Sequence, residues 1–268
     1  MESEIDATVS DRYANLFDLS DKVVVIAGGT GAIGSELAGA ASAYGAKVGI
    51  AGRSAKAASE VATRLIDAGG KAMGTKIDLT DAASVEEGIA AVEQVLGPVD
   101  VLINSAGTHI EQPAEQATLA AWDSVFDVNL RGAFILSQSV ARSMIARGSG
   151  GSIVHITSVR SGLGIRRGYA AYCASKGGLG MLIKQLASEW ARHSIRVNGI
   201  APTFTRTPLV ESYLSDTDFY NALVKRIPMG RVCETADLAG IAIFLAADAS
   251  IFITGQNIFV DGGVSSTQ

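Results

Sequence analysis

Tyr172, Lys176, Leu179, Ile183, Leu186 and Trp190 follow one another by steps of 4, 3, 4, 3 and 4 residues, the spacing that stacks side chains on one face of a helix. That face is apolar except at its start. An ammonium placed there costs several kcal/mol to desolvate unless it has partners, and a chemical role accounts for it. A cation beside a phenol favours phenolate and draws the tyrosine pKa down from about 10 toward neutrality, each unit being worth roughly 1.4 kcal/mol. Such a tyrosine can exchange a proton with a substrate near physiological pH.

Two further polar groups fall where ligands are expected. The apolar stripe Trp122, Val125, Phe126, Leu130, Ala133 and Phe134 carries Asn129 on the same face, so its amide points inward, as a satisfied buried amide also would. The apolar run Ser152–Ile156 ends at Thr157-Ser158, which puts Ser158 at the carboxyl edge of a sheet, the side on which ligands of open α/β sheets bind.

Ala27-Gly28-Gly29-Thr30-Gly31-Ala32-Ile33-Gly34 joins the first apolar run to a helical segment. Glycines there permit positive φ and close approach of the main chain, and the new helix's amides and dipole attract an anion such as pyrophosphate. At the first strand-to-helix junction of a parallel sheet, that pattern points to a dinucleotide. The second run ends in Ala51-Gly52-Arg53-Ser54. An acidic residue at that position would hold the ribose 2′-hydroxyl and repel a 2′-phosphate; Arg53 instead suits a phosphate, which favours NADP(H) over NAD(H). An arginine at a helix start is also an ordinary solvated charge.

The elements that must position these groups are legible as a rhythm. Apolar runs at Val23–Ala27, Lys47–Ala51, Ala72–Ile77, Val99–Asn104, Ser152–Ile156, Arg196–Ile200 and Asn257–Val260 alternate with helical segments at 32–44, 54–68, 81–96, 120–147, 170–192 and 235–247. Several runs are too uniformly apolar for a sheet wetted on one face. The alternation predicts one α/β domain with a doubly wound, seven-stranded parallel sheet and helices on both faces. Residues 1–19 read as an N-terminal tail frayed to near Phe17, and 20–268 as the domain. The stretch 206–230 breaks the rhythm with two prolines and an apolar helical pattern, an insertion of the kind that closes over a ligand.

Composition excludes other classes. Of 268 residues, 48% are hydrophobic and 18% charged, against about 25% charged in typical domains, so the chain has the material for a full core. With 22 Lys+Arg, 27 Asp+Glu and a net charge of −5, it lacks the concentrated positive face that nucleic acid or an anionic membrane requires. No apolar run approaches the roughly 18 residues of a membrane span. The start lacks the charged and apolar blocks of a secretory signal. Cys173 and Cys233 have no metal-ligand spacing, so no metal is expected and a reducing cytoplasm is the natural setting.

Gly28 to Gly34, Asn104-Ser105-Ala106-Gly107 after the fourth strand, Ser158 at 14 residues before Tyr172, Tyr172-Cys173-Ala174-Ser175-Lys176, and Val260-Asp261-Gly262-Gly263 together resemble the short-chain dehydrogenases/reductases over about residues 20–264. The resemblance implies a single-domain Rossmann fold and hydride transfer between NADP(H) and a ketone or secondary alcohol. It casts Tyr172 as general acid/base and Ser158 as the hydroxyl on the substrate oxygen. Lys176 becomes the residue that binds the nicotinamide ribose and tunes Tyr172, and Asn129 the amide placing a relay water. Implied cofactor contacts are Gly28, Thr30, Ile33 and Gly34 at the pyrophosphate, Arg53 at the 2′-phosphate, Asp78 at adenine, Asn104 and Gly107 near ribose, and Thr207 near the carboxamide. Ala32 and Pro202-Thr203 depart from the family's usual Gly and Pro-Gly.

Within that family the chain looks most like the sugar-acid and polyol branch, with 3-oxoacyl and other bulky-ketone reductases nearby. A different class, a dinucleotide-binding sensor or scaffold without chemistry, has no use for a lysine on an apolar stripe. Substrate contacts are expected from His109, Arg160, Arg166, Arg167, Tyr169, Phe204 and Met229, with at least one of the adjacent arginines solvated. His155, inside the fifth run, reads as a satisfied core residue. Gly177, Gly178 and Gly180 allow close helix approach, and the family is often tetrameric, so a homotetramer is expected.

Overall fold

The computed structural model describes residue 13 and residues 15–267; the expected tail at 1–12 and 14 lies outside the described residues. Seven apolar runs form strands: β1 (Val23–Ala27), β2 (Lys47–Gly52), β3 (Lys71–Lys76), β4 (Val101–Asn104), β5 (Gly151–Ile156), β6 (Ile195–Pro202) and β7 (Asn257–Val260). They make one sheet in the order β3-β2-β1-β4-β5-β6-β7, every neighbouring pair parallel. This is the doubly wound α/β architecture that the alternation predicted.

Side chains alternate across a strand, and the core divides accordingly. Val24, Ile26, Val48 and Ile50 pack with Leu37 and Ala41 of α1 (Ala32–Ala43), Val61 of α2 (Ala55–Asp67), and Ile243 and Leu245 far along the chain. Val23, Val25, Leu102, Ile153 and Val197 face the other layer. There they meet Val85, Ile89 and Val92 of α3 (Ala82–Leu96), together with helices from the middle of the chain. Because both faces are covered, β1 shows no polar alternation at all. From β1 the chain runs outward to β2 and β3, then returns to place β4 on β1's other side. That reversal opens a crevice at the carboxyl ends of β1 and β4.

The segment expected as one helix over 120–147 is three pieces: α4 (Leu119–Phe126), a π-helical turn at Asp127–Arg131, and α5 (Gly132–Arg147). The wider turn shifts the helical phase. Val125, Asn129 and Ala133 stay buried, whereas Phe134, expected on the inner stripe, is 39% exposed. Such turns inside helices gather at functional sites, and Asn129 sits in this one.

The helix that carries the Tyr172 stripe is α6 (Ala170–Trp190), with Lys176, Leu179, Ile183 and Leu186 buried along it. The stretch 206–230 contains α7 (Glu211–Leu214) and α8 (Thr217–Val224). Leu214 and Ile227 join Val232 in a small cluster separate from the main core. Asp216 caps α8 by accepting from Asp218 N and Phe219 N. α9 (Ala239–Ala246) leads toward β7. Before β1, Leu19 is buried and its N–H donates to Tyr44 O (2.9 Å), while Ala249 N donates to Leu16 O (2.9 Å). Among the described residues no helix is long and apolar enough to cross a membrane.

Candidate active site

Two adjoining cavities open at the carboxyl edge of the sheet. The larger, about 710 Å³, is walled by Gly28, Thr30, Gly31, Gly52, Arg53, Asp78, Ser105, Gly107 and Thr108. The smaller, about 210 Å³, is walled by Ile33, Ser158, Tyr172, Lys176 and Thr207 and shares Ser105, Gly107 and Thr108 with the first. An elongated ligand could therefore run from Arg53 along the glycine turn to Tyr172.

The glycine turn is shaped for close approach. Gly28 has φ +72°, and a Cβ built there would stand 2.7 Å from Ala106 N; at Gly34 it would stand 2.2 Å from Gly28 O. Both contacts forbid side chains. Gly34 thus lies beneath the turn, letting α1 start against it, and is not part of the cavity wall. At the end of β2, a Cβ on Gly52 would crowd Thr30 Cγ2 at 3.0 Å, so the position expected for an acidic residue in NAD(H) sites is held bare and Arg53 follows it. Asp78 is bound by Thr80 N and Thr80 Oγ1, which hold its carboxyl below the usual carboxylate range, aided by the charges of Arg53 and Lys76.

Asn104 stands behind the wall. Its Oδ1 accepts from Ala106 N (3.1 Å) and its Nδ2 contacts His155 Nδ1 (3.3 Å). Ser137 Oγ donates to Ala133 O (2.7 Å) and lies 3.0 Å from His155 Nε2. With the serine hydrogen so used, Nε2 must donate and Nδ1 must accept. Burial pushes the His155 pKa down to about 3, with the Lys176 charge adding to the effect. His155 is therefore a neutral brace that orients Asn104, as its place within an apolar run suggested.

Asn129 is a clamp. Its Oδ1 accepts from Thr108 N (2.8 Å), and its Nδ2 donates to Thr108 O (2.8 Å) and Ser175 Oγ (3.0 Å). Both amide hydrogens are spent within the chain, so the side chain fixes the turn after Gly107 and has no donor left for a water.

Ser158 Oγ accepts from Arg160 N (3.1 Å) at the start of a short 3₁₀ turn. Lys176 is 4% exposed and donates to Ile156 O (2.8 Å); its other two N–H donors meet no protein acceptor among the described residues, and its Nζ lies 5.9 Å from the Tyr172 ring centroid. Burial draws the lysine pKa down to about 8. The sequence-based expectation of an acidified Tyr172 does not hold here: burial raises its pKa, and the Ser158 hydroxyl and Arg160 charge offset only part of the rise. Desolvation penalises both charged forms, and it outweighs a cation whose nearest bond is to a main-chain carbonyl.

Known proteins resemble this chain in sequence and fold. The sequence model of the family described as "Enoyl-(Acyl carrier protein) reductase" matches residues 28–265. Gluconate 5-dehydrogenase of Gluconobacter oxydans is 39% identical over 253 residues, covering 94% of this chain and 98% of that one. The chain belongs to the short-chain dehydrogenases/reductases. D-threitol dehydrogenase of Mycolicibacterium smegmatis is 37% identical over 92% of this chain and 94% of its own length. A gluconate 5-dehydrogenase from Burkholderia cenocepacia, solved in complex with NADP and tartrate, superposes with a TM-score of 0.92 at 38% identity, covering 96% of this chain and all (100%) of that one.

In this short-chain dehydrogenase/reductase the smaller cavity is lined by aromatic rings. His109, Tyr169 and Tyr172 meet edge to face with centroids 5.4, 6.0 and 5.9 Å apart, and Phe204 also lines the cavity. Arg167 points elsewhere: its Nε pairs with Glu111 (3.1 Å), and its guanidinium lies 4.7 Å from the Tyr213 ring and 5.4 Å from that of Phe219. Tyr213 Oη donates to Glu111 Oε2 (3.2 Å). Arg166 is exposed, and Met229, 68% exposed, borders a different cavity beside Cys233. Glu111, Tyr213 and Phe219 escaped the sequence reading. An acid two residues past His109 was visible, but its partners lie 56 and 102 residues away, beyond any local pattern.

Proposed function

We propose that the chain is an NADP(H)-dependent oxidoreductase that interconverts a ketone and a secondary alcohol on a sugar acid or related polyol, with Tyr172 as general acid/base. One observation carries this reading: the cavity of Ser158, Tyr172 and Lys176 shares a wall with the glycine-lined cleft that ends at Arg53. The cleft suits NADP(H) because its glycines leave room for a pyrophosphate and because Arg53, not an acid, stands at the 2′-position. Thr30, Ile33, Gly107 and Thr207 border the path, with Asp78 at the adenine end. Relatives that act on gluconate and threitol support the substrate class.

Bound nicotinamide supplies or accepts the hydride. The chain's own residues do the rest. Ser158 holds the substrate oxygen beside Tyr172, and Tyr172 donates a proton to that oxygen as it gains charge. A phenol whose pKa lies above its ordinary value stays protonated at pH 7, the form reduction needs. Lys176, with two donors to spare, can bind ribose hydroxyls, while Asn129 holds Thr108 and Asn104 holds Ala106 so that the shared wall keeps its shape.

Tyr172→Phe tests the assignment. NADPH oxidation with 5-keto-D-gluconate should fall on the order of 10²–10⁴-fold, with NADPH affinity nearly kept. Unchanged turnover would reject Tyr172 as the acid/base. A wild-type enzyme inert toward sugar acids, polyols and 3-oxoacyl esters alike would favour the sensor or scaffold reading.

Assembly is supported by a groove between α4–α5 and α6 lined by Phe126, Leu130, Phe134, Met181 and Leu182, where Phe134 is 39% and Met181 63% exposed. An apolar groove of this kind suits a second copy, and we extend this to a homotetramer. Gly178 serves the chain itself, since a Cβ there would press on Leu130 Cδ2 at 3.0 Å. Sedimentation as a 27.6 kDa monomer would refute assembly. Two free cysteines fit a reducing cytoplasm.

A further inference from the structure

Three arginines, Arg160, Arg166 and Arg167, stand between Ser158 and Tyr172, and the structure gives them different fates. Arg167 is neutralised by Glu111 and covered by Tyr213 and Phe219. Arg166 is exposed and borders neither cavity. Arg160 alone of the three lines the substrate cavity.

Its surroundings are unusual for a half-buried guanidinium. Nη1 donates to Gly164 O (2.9 Å), so most of its five N–H donors meet no protein acceptor among the described residues. Among the described residues no carboxylate lies within ion-pair distance of it, and the residues lining the cavity around it include no Asp or Glu. The groups whose charges reach it are Cys173, Tyr172 and Tyr169, which favour its charged form, and Arg226 from the 206–230 stretch, which opposes it. Burial is the main influence and lowers its pKa from the ordinary value. A planar cation partly desolvated without an acidic partner, two residues from Ser158 and lining the Tyr172 cavity, is matched by an anion brought in from solution.

We propose that Arg160 receives the carboxylate of the substrate and thereby selects sugar acids over neutral polyols and ketoses. The inference rests on the proposed function of this cavity and adds the group that reads the substrate's charge. Arg160 touches the end of the substrate that does not react, so it contributes recognition, whereas Ser158 and Tyr172 act at the carbonyl.

The test compares 5-keto-D-gluconate with L-sorbose, which carries a hydroxymethyl group in place of the carboxylate on the same carbon chain. With NADPH, the wild-type ratio of kcat/KM for acid over ketose should exceed ten. In Arg160→Gln that ratio should fall about ten- to hundredfold, the scale of a lost charge-assisted hydrogen bond, and Arg160→Lys should lie between. An equal loss on both substrates, or an unchanged ratio, overturns the proposal. One measurement needs no variant: sodium succinate should inhibit L-sorbose reduction competitively in the wild type, and 1,4-butanediol should not. Absence of inhibition at tens of millimolar succinate overturns the proposal whether or not the variants fold. A wild type that reduces L-sorbose as well as the acid overturns the role of Arg160 but leaves the oxidoreductase reading standing. Loss of both activities in Tyr172→Phe reports on that reading separately.

Discussion

Around Gly28 the cleft wall is main chain with Gly34 packed beneath it, and the distances that matter are to atoms every residue possesses, Gly28 O and Ala106 N. Around Arg160, Tyr169 and Phe204 the wall is side chain, and its shape depends on rings and ions that converge from three separate stretches. The first wall tolerates little change because a single methyl collides with backbone that cannot retreat. The second can be retuned one residue at a time without disturbing the sheet. A common cofactor end with a variable substrate end is the expected outcome of that difference.

Four changes probe the contrast, from the largest expected effect to the smallest. Gly34→Ala places a methyl against Gly28 O; we expect NADPH affinity to drop on the order of a hundredfold and folding stability by about 1–3 kcal/mol, read by fluorescence titration and thermal melting. A neutral result would show that the turn can yield. Arg53→Ala keeps the glycine cradle and should reduce the NADPH-over-NADH preference in kcat/KM about ten- to hundredfold, or roughly 1.5–3 kcal/mol. Equal use of both cofactors by the wild type would remove the phosphate clamp from the account.

His155→Gln addresses the brace behind the shared wall. His155 titrates at about 3 when folded against about 6.5 in an unfolded chain. Between those values the unfolded state takes up the proton and the folded state does not, so the stability it contributes is present above about pH 6.5 and is lost as pH falls toward 3. Urea midpoints should decline less steeply over that window in the variant; parallel curves would show that His155 does not govern the acid limb. At the substrate end, Glu111→Gln removes the charge that pairs with Arg167. Because that pair is partly exposed, the loss should be under about 1 kcal/mol. We expect KM for the ketone to rise no more than a few-fold at constant kcat, as measured by steady-state kinetics. A tenfold fall in kcat would place Glu111 closer to the chemistry than the geometry does.

Much of the cofactor end could be read along the chain. Gly28 and Arg53 follow directly on strand ends that the apolar runs mark out, and a turn of glycines has a local meaning, whereas Asp78 came from the family resemblance. Ser158, Tyr172 and Lys176 were readable for a similar reason, since helical spacing and a strand end each fix where a side chain goes. The sign of the Tyr172 shift was not: a tyrosine–lysine spacing states which charges are near, but desolvation depends on what covers them. The break at Asp127–Arg131 was equally hidden, because the periodicity of 120–147 is compatible with a continuous helix and the turn answers to Thr108 and Ser175.

From the order of residues alone came the parallel sheet, the expected dinucleotide turn and the serine, tyrosine and lysine of the proposed site. Each rests on contacts between near neighbours or on periods of two and 3.6 residues that a strand or helix must obey. Only the folded chain could decide which of three arginines faces the cavity, that Glu111 holds Arg167 and Tyr213 together, and that burial lifts the phenol's pKa. Those outcomes depend on segments 56 and 102 residues apart and on how much water their meeting excludes, neither of which is encoded in any local stretch.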